Sequence, residues 1–219
     1  MQVVTSIFAR NYVRQTIGSL GTLAAVAAIA APAAAHHPTG GRMPATLLDG
    51  LLSGIGHPVI GPDHLAFIIA IGIAAALLHS AYALIAAFVS ATTAGVILRT
   101  VILEIPLAET VVALSVVAAG ALVAAGPAGK VRVWLPLAAV AGLFHGLAFG
   151  EAIIGAERGV VGAYLIGIAI IASVIALGVM RATPTLLALA TGSTVRTRAA
   201  GAVVGCVGLA MVASSLGSG

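Results

Sequence analysis

Apolar residues occur in six long runs along this chain, separated by short stretches that contain most of the prolines and charged side chains. The runs cover residues of about 62–79, 81–98, 105–125, 133–151, 160–180 and 199–216. Each is near the roughly 20 residues that a helix needs to cross the hydrocarbon core of a bilayer. Glycine and alanine recur within the runs at near-helical spacing, which favours close packing between helices. The pattern therefore predicts an all-α, polytopic membrane protein built as a bundle of six transmembrane helices.

The first run is preceded by a segment that predicts a broken helix. Residues 43–56 are too short and too rich in glycine to cross a membrane alone, and His57-Pro-Val-Ile-Gly-Pro-Asp-His64 follows them. Two prolines and a glycine predict irregular backbone over residues 57–61. Proline suits the first position of a helix, so a new helix is expected to begin at Pro62. The helix dipole favours the carboxylate of Asp63 in the first turn of that helix.

The N-terminal residues 1–35 have the pattern of a secretory signal peptide. Two arginines precede a short apolar stretch at residues 17–31, and a run of small residues that ends at Ala35 follows. This order is typical of a signal that is cleaved after the small residues. Cleavage would leave His36 and His37 beside a free α-amine, which is a candidate metal-binding end. An uncleaved first membrane helix, and a terminus whose histidines have no role, are the alternatives.

The composition excludes several classes of protein. The chain is 61% hydrophobic and 7% charged, with a formal charge of +4, whereas soluble domains have about 25% charged residues. Lysine and arginine are scattered singly along the chain, without the basic stripe that marks a nucleic-acid-binding protein. We therefore expect a membrane protein whose partners include the lipid bilayer and do not include nucleic acid.

The distribution of charge predicts how the helices are oriented. If the mature N-terminus is outside, the loops that face inside contain only basic charges, as the positive-inside rule requires. These charges are Lys130, Arg132, Arg181, Arg196 and Arg198. The acidic residues Asp49, Glu104, Glu109 and Glu157 then lie on the outer side. The chain is accordingly predicted to be a multi-pass protein of the bacterial inner membrane with a periplasmic N-terminus.

Ionisable residues within the apolar runs form the candidate metal site, because such residues are rare in membranes unless they have a function. Imidazole and carboxylate groups are suitable ligands for divalent nickel, cobalt or zinc. The predicted topology places five of them at a similar depth near the outer face: His57, Asp63, His64, His145 and Glu151. On a regular helix, Glu151 lies about 9 Å and roughly 120° from His145, so it is expected to act as an outer relay unless nearby glycines loosen the helix. For His145, a hydrogen bond between helices is an equally good interpretation.

Two motifs at these positions resemble the signatures of the HupE/UreJ family. They are His57-Pro-x-x-Gly-x-Asp-His64 and Phe144-His-Gly-x-Ala-x-Gly-Glu151, and they occur in the family's order. The resemblance covers most of the mature chain and implies a signal peptide, six helices and uptake of nickel or cobalt. It also implies that the motif histidines and acids line the path of the metal. Phe67 stands where the family often has methionine, a change that affects either a soft ligand or only packing.

We therefore expect a non-enzymatic protein that carries Ni²⁺ or Co²⁺ inward by secondary transport or facilitated diffusion, without a prosthetic group. The sequence contains no phosphate-binding Gly-x-x-x-x-Gly-Lys-Ser/Thr loop, so an ATPase is not built in. An intramembrane metallohydrolase, or an accessory protein that delivers metal to hydrogenase or urease without transporting it, are the alternatives. A second copy of the chain and metalloenzyme maturation proteins remain open as partners.

Overall fold

Helices make up almost all of the computed structural model, which describes residues 43–78, 81–101, 107–126, 131–188 and 193–217. The seven α-helices in these ranges are α1 Leu47–Ile60, α2 Pro62–Leu77, α3 Ala81–Val101, α4 Ala108–Ala125, α5 Val131–Gly150, α6 Arg158–Ala188 and α7 Ser193–Gly217. A short 3-10 turn, Glu151–Ile153, follows α5. No strand occurs in the described ranges, which confirms the all-α prediction. The predicted signal peptide, His36, His37 and His79 lie outside the described residues.

Helix length and composition confirm the multi-pass character of the chain. The five helices α3 to α7 are each long and apolar enough to cross a membrane, and α1 with α2 would form a sixth span, bent by 79°. The last two helices exceed their predicted limits, because α6 continues to Ala188 and α7 begins at Ser193. Helical hydrogen bonding therefore extends past the apolar runs into segments that contain arginine and threonine.

The break between α1 and α2 is sharper than the sequence predicts. Thr46 and Asp49 form a capping box, and the helix that they begin runs through Pro58 to Ile60. The prediction of irregular backbone over residues 57–61 was therefore wrong, because only Gly61 leaves the helix, at φ −75° and ψ 109°. A residue that precedes proline is pushed away from helical geometry, and Gly61 precedes Pro62. The predicted start of α2 at Pro62 is confirmed.

Helix α2 forms the centre of the bundle and contacts every other described helix. A helix that is apolar on all sides is either a membrane span or a buried core helix, and α2 is buried within the protein along most of its length. Its buried apolar residues are Ala66, Phe67, Ile68, Ala70, Ile71, Ile73, Ala74 and Ala75. The main hydrophobic core is built around these side chains. The first turn of α2, which contains Asp63 and His64, is therefore fixed at the middle of the helix arrangement.

The other helices pack in close pairs, and small residues allow their backbones to approach. The most extensive contacts join α3 with α5, α4 with α7, and α1 with α6. Between α3 and α5, a Cβ atom built on Gly146 would lie 2.9 Å from the Cα atom of Gly95 and would overlap the carbonyl oxygen of Thr92. Such contacts between small residues are typical of helices that associate in lipid. His145, which precedes Gly146, also contacts α3, because its ring centroid lies 5.8 Å from that of Phe88.

The substitution Gly146→Ala should destabilise the protein, because the added methyl group cannot be accommodated between α3 and α5. Overpacking of this kind typically costs about 1–3 kcal/mol, whereas alanine is otherwise the better helix former by about 1 kcal/mol. Gly162→Ala is the matched control, because its Cβ would meet no atom within 4 Å. Thermal unfolding of the two variants in detergent should show a lower midpoint for Gly146→Ala only. Equal midpoints would contradict the packing described above.

Candidate functional site

Three buried histidines meet at the break between α1 and α2. His57 lies in the last turn of α1, His64 in the first turn of α2, and His145 near the end of α5. Their exposed fractions are 7%, 6% and 0%. The ring centroids of His57 and His64 are 6.0 Å apart, and those of His64 and His145 are 4.8 Å apart. The structure therefore brings together the two motifs that are 81 residues apart in the sequence.

A tyrosine from α6 connects His57 to the end of α5. The hydroxyl of Tyr164 lies 2.7 Å from Nδ1 of His57, and it donates a hydrogen bond of 2.8 Å to the carbonyl oxygen of Phe149. Tyr164 is completely buried. Because Phe149 lies in the last turn of α5, its carbonyl lacks the regular helical partner. Tyr164 thus joins α1, α5 and α6 at the level of the histidines.

A second chain of hydrogen bonds runs through His64 and His145 to α4. The Nδ1 atoms of the two imidazoles are 2.7 Å apart. On the other side of its ring, His145 Nε2 lies 3.1 Å from Ser115 Oγ. The Ser115 hydroxyl donates a bond of 2.6 Å to the carbonyl oxygen of Val112. These contacts connect α2, α5 and α4 through polar side chains in a mainly apolar interior.

Asp63 lies beside His64 at the start of α2. Its Oδ1 accepts a hydrogen bond of 2.8 Å from the backbone N–H of His64, and the same oxygen is 4.0 Å from His64 Nε2. Only 9% of Asp63 is exposed. The free N–H groups and the dipole at a helix N-terminus stabilise a carboxylate at this position. The predicted location of Asp63 and His64 in one helical turn is therefore confirmed.

Two buried phenylalanine rings pack against the histidines of this cluster. The ring of Phe149 lies 4.1 Å from that of His64 and 5.0 Å from that of His57. Phe67 packs 4.7 Å from the ring of His145, so the residue at the family's methionine position serves as packing here. A desolvated setting of this kind strengthens polar interactions among the enclosed groups.

Glu151 lies apart from the histidines. It begins the 3-10 turn after α5 and is exposed, whereas His145 faces the bundle interior. Helix α5 remains regular up to Gly150, so glycine does not bend the helix enough to turn Glu151 inward. This agrees with the 120° offset expected between the two residues and leaves Glu151 at the margin of the cluster.

The described residues do not form a closed metal site. In the part of the chain that the structure describes, no three His, Cys, Asp or Glu side chains are arranged to hold one ion. Two imidazole nitrogens that share a tetrahedral ion lie about 3.3 Å apart, given metal–nitrogen distances of 2.0–2.1 Å. The 2.7 Å separation between His64 and His145 is instead that of a hydrogen bond. A cation that used both imidazoles would therefore require the rings to separate.

Two buried hydroxyl groups near the cluster have no hydrogen-bond partner among the described residues: Ser53 and Thr92. Ser53 precedes His57 by one helical turn on α1, and residues four apart share a helix face. Neither group was predicted from the sequence, nor were Tyr164 and Ser115. In the sequence, each of these four residues is a hydroxyl-bearing residue within an apolar run. Such a residue is common in membrane helices and does not indicate a functional site.

Taken together, the apolar helices and the buried histidine cluster define a helical, multi-pass membrane protein with a polar centre at a broken helix. The sequence profile of the family described as HupE / UreJ protein matches residues 24–211, and this chain belongs to that family. The family is associated with nickel or cobalt uptake or with accessory roles.

A curated relative supports the same assignment over part of the chain. Protein HupE of Rhizobium leguminosarum bv. viciae is 34% identical over 108 residues, which cover 47% of this chain and 54% of the relative. The match thus spans about half the length of that protein. No solved structure matches the chain.

The difference in exposure between Glu151 and the buried cluster can be tested by cysteine labelling. In a Cys206→Ala background, Glu151→Cys should react with a water-soluble maleimide, because residue 151 is exposed. Thr92→Cys should remain unreactive until the protein is denatured, because Thr92 is 1% exposed. In intact cells the first variant should also be labelled from the periplasm, as the predicted topology requires. Rapid labelling of Thr92→Cys in the folded protein would contradict the described burial.

Proposed function

We propose that this chain carries Ni²⁺ or Co²⁺ inward across the bacterial inner membrane, using the histidine cluster as part of the path. One observation supports this most strongly: His64 and His145, from two separate motifs, are in direct contact at a helix break. Ionisable groups buried at membrane depth are usually part of an ion or substrate path. Broken helices supply such sites in many secondary transporters, because their ends offer unpaired backbone groups and dipoles.

The chemistry of the cluster suits a cation that binds and then leaves. Asp63 supplies negative charge, and neutral imidazoles supply nitrogen ligands for nickel or cobalt. A transport site must bind strongly enough to admit the ion and weakly enough to release it. The described residues form a junction of imidazoles without a closed three-ligand arrangement, which is consistent with that requirement.

The location of Glu151 supports a role at the entrance. Its exposed carboxylate, one short turn beyond α5, can attract a hydrated cation before the ion loses water. The driving force would be the membrane potential, which is worth about 2.3 kcal/mol per charge for each 100 mV. Because a divalent cation carries two charges, an inside-negative potential would favour its entry without hydrolysis of ATP.

A metallohydrolase is less well supported by the site. Catalytic zinc generally has three protein ligands and an open position for water, and the described residues offer no group of three or more such side chains around one point. No observation favours a delivery role without transport, and that role is an outcome of the test below.

Uptake of radioactive nickel tests the proposal in cells that lack other nickel importers. Expression of the chain should raise intracellular nickel above the empty vector. His64→Ala and Asp63→Ala should each reduce the initial rate at least tenfold, because loss of even an outer-shell partner typically lowers metal affinity 10–100-fold. Competition with cobalt and zinc in the same assay would rank the three ions.

The control for this experiment is His79→Ala, a histidine outside the two motifs, which should retain most of the uptake. Immunoblots of membrane fractions must show equal amounts of each variant. If the intact, membrane-inserted chain raises neither nickel nor cobalt, transport is contradicted. Copurification with metalloenzyme maturation proteins in that case would indicate the accessory role.

A further inference from the structure

Two buried hydroxyl groups determine which imidazole nitrogens of the cluster carry protons. The hydroxyls belong to Tyr164 and Ser115, and each already donates its single proton to a backbone carbonyl oxygen. A carbonyl has no proton to give in return, and a hydroxyl has only one. The imidazole nitrogen that faces each hydroxyl oxygen must therefore be the donor. This gives a definite direction to both chains of hydrogen bonds.

The direction of the first chain assigns the tautomer of His57. Its Nδ1 lies 2.7 Å from the oxygen of Tyr164, and that oxygen can only accept because its proton is given to Phe149. The proton of neutral His57 is therefore on Nδ1, and its Nε2 carries the lone pair.

The second chain assigns two imidazoles in sequence. Ser115 accepts from Nε2–H of His145, so neutral His145 carries its lone pair on Nδ1. That lone pair faces Nδ1 of His64 at 2.7 Å, so His64 must donate from Nδ1. Its Nε2 consequently carries the lone pair. The Nε2 atom of His64 is 4.0 Å from the carboxylate of Asp63, which is too far for a hydrogen bond. Asp63 therefore does not stabilise a proton on this Nε2.

We infer that Tyr164 and Ser115 are positioning residues, which set the Nδ1–H tautomer of His57 and His64 so that both present Nε2 lone pairs for a cation. In this arrangement His145 orients His64, because it accepts the hydrogen bond from Nδ1 of His64. The consequence for metal binding rests on the proposed function, whereas the tautomers themselves do not. Hydrogen bonds from the second nitrogen of an imidazole commonly fix metal-binding histidines in this way.

Nitrogen-15 NMR of the metal-free, full-length protein in lipid bilayers tests the tautomers directly. Spectra are recorded at alkaline pH, where imidazole is neutral, and signals are assigned by single histidine substitutions. His57 and His64 should be protonated at Nδ1, and His145 at Nε2. Ser115→Ala should remove the single tautomer of His64 and His145, and Ser115→Thr should restore it. Tyr164→Phe should affect His57 only.

Nickel binding by the same purified proteins, measured by equilibrium dialysis, gives the second readout. Ser115→Ala and Tyr164→Phe should each weaken binding about 10–100-fold. Thr183→Val is a matched control for the serine, because Thr183 also donates to a carbonyl of its own helix, that of Val179. Tyr82→Phe is the control for the tyrosine, since Tyr82 is 68% exposed. Neither control should change the tautomers or the affinity.

The two proposals fail in different ways. If the wild-type protein shows Nδ1 protonation on His145, or if Ser115→Ala leaves both tautomers and affinity unchanged, the positioning role is overturned while nickel transport can stand. If the tautomers are as assigned but the wild-type chain binds no nickel, the positioning role is supported and the proposed function is contradicted.

Discussion

The contact between His64 and His145 is the interaction on which the arrangement of this site depends. A polar group without a partner in the interior of a helix bundle costs several kilocalories per mole in a setting without water. The two imidazoles partner each other at 2.7 Å, and Ser115 partners the second nitrogen of His145. The requirement for such partners ties the first turn of α2 to α5 and α4, so the histidines and the helix positions are determined together.

Close packing between helices is the condition that lets this contact form. Hydrophobic association gives little preference among helices in lipid, so backbone approach at small residues provides much of the stability. Gly146 lies directly against Gly95, and it follows His145 in the chain. Gly61 has a related role at the break, because a Cβ atom there would lie 2.6 Å from the His64 ring. Gly146 and Gly95 therefore allow two helices to approach, and Gly61 leaves space for the imidazole of His64.

Much of this arrangement could be predicted from local sequence, and the remainder depends on contacts that have no local pattern. Proline chemistry places the start of α2 at Pro62, and helix geometry separates Glu151 from His145. The path of α1 through Pro58 could not be predicted, because proline locally favours a helix break, and the contact of α1 with α6 has no local pattern in the sequence. Tyr164 and Ser115 contact histidines that are 107 and 30 residues away. A single hydroxyl in an apolar run gives no sign of such a partner.

Metal transport through this site requires that a divalent metal meets the imidazoles at the helix break. X-ray absorption at the nickel edge of the purified, nickel-loaded protein tests this most directly, because imidazole rings produce a distinctive outer-shell signal. We expect a nitrogen and oxygen shell with imidazole scattering that decreases when His57 and His64 are both replaced by alanine. A shell of water oxygens or sulfur, or imidazole scattering that is unchanged in this double variant, would contradict the account.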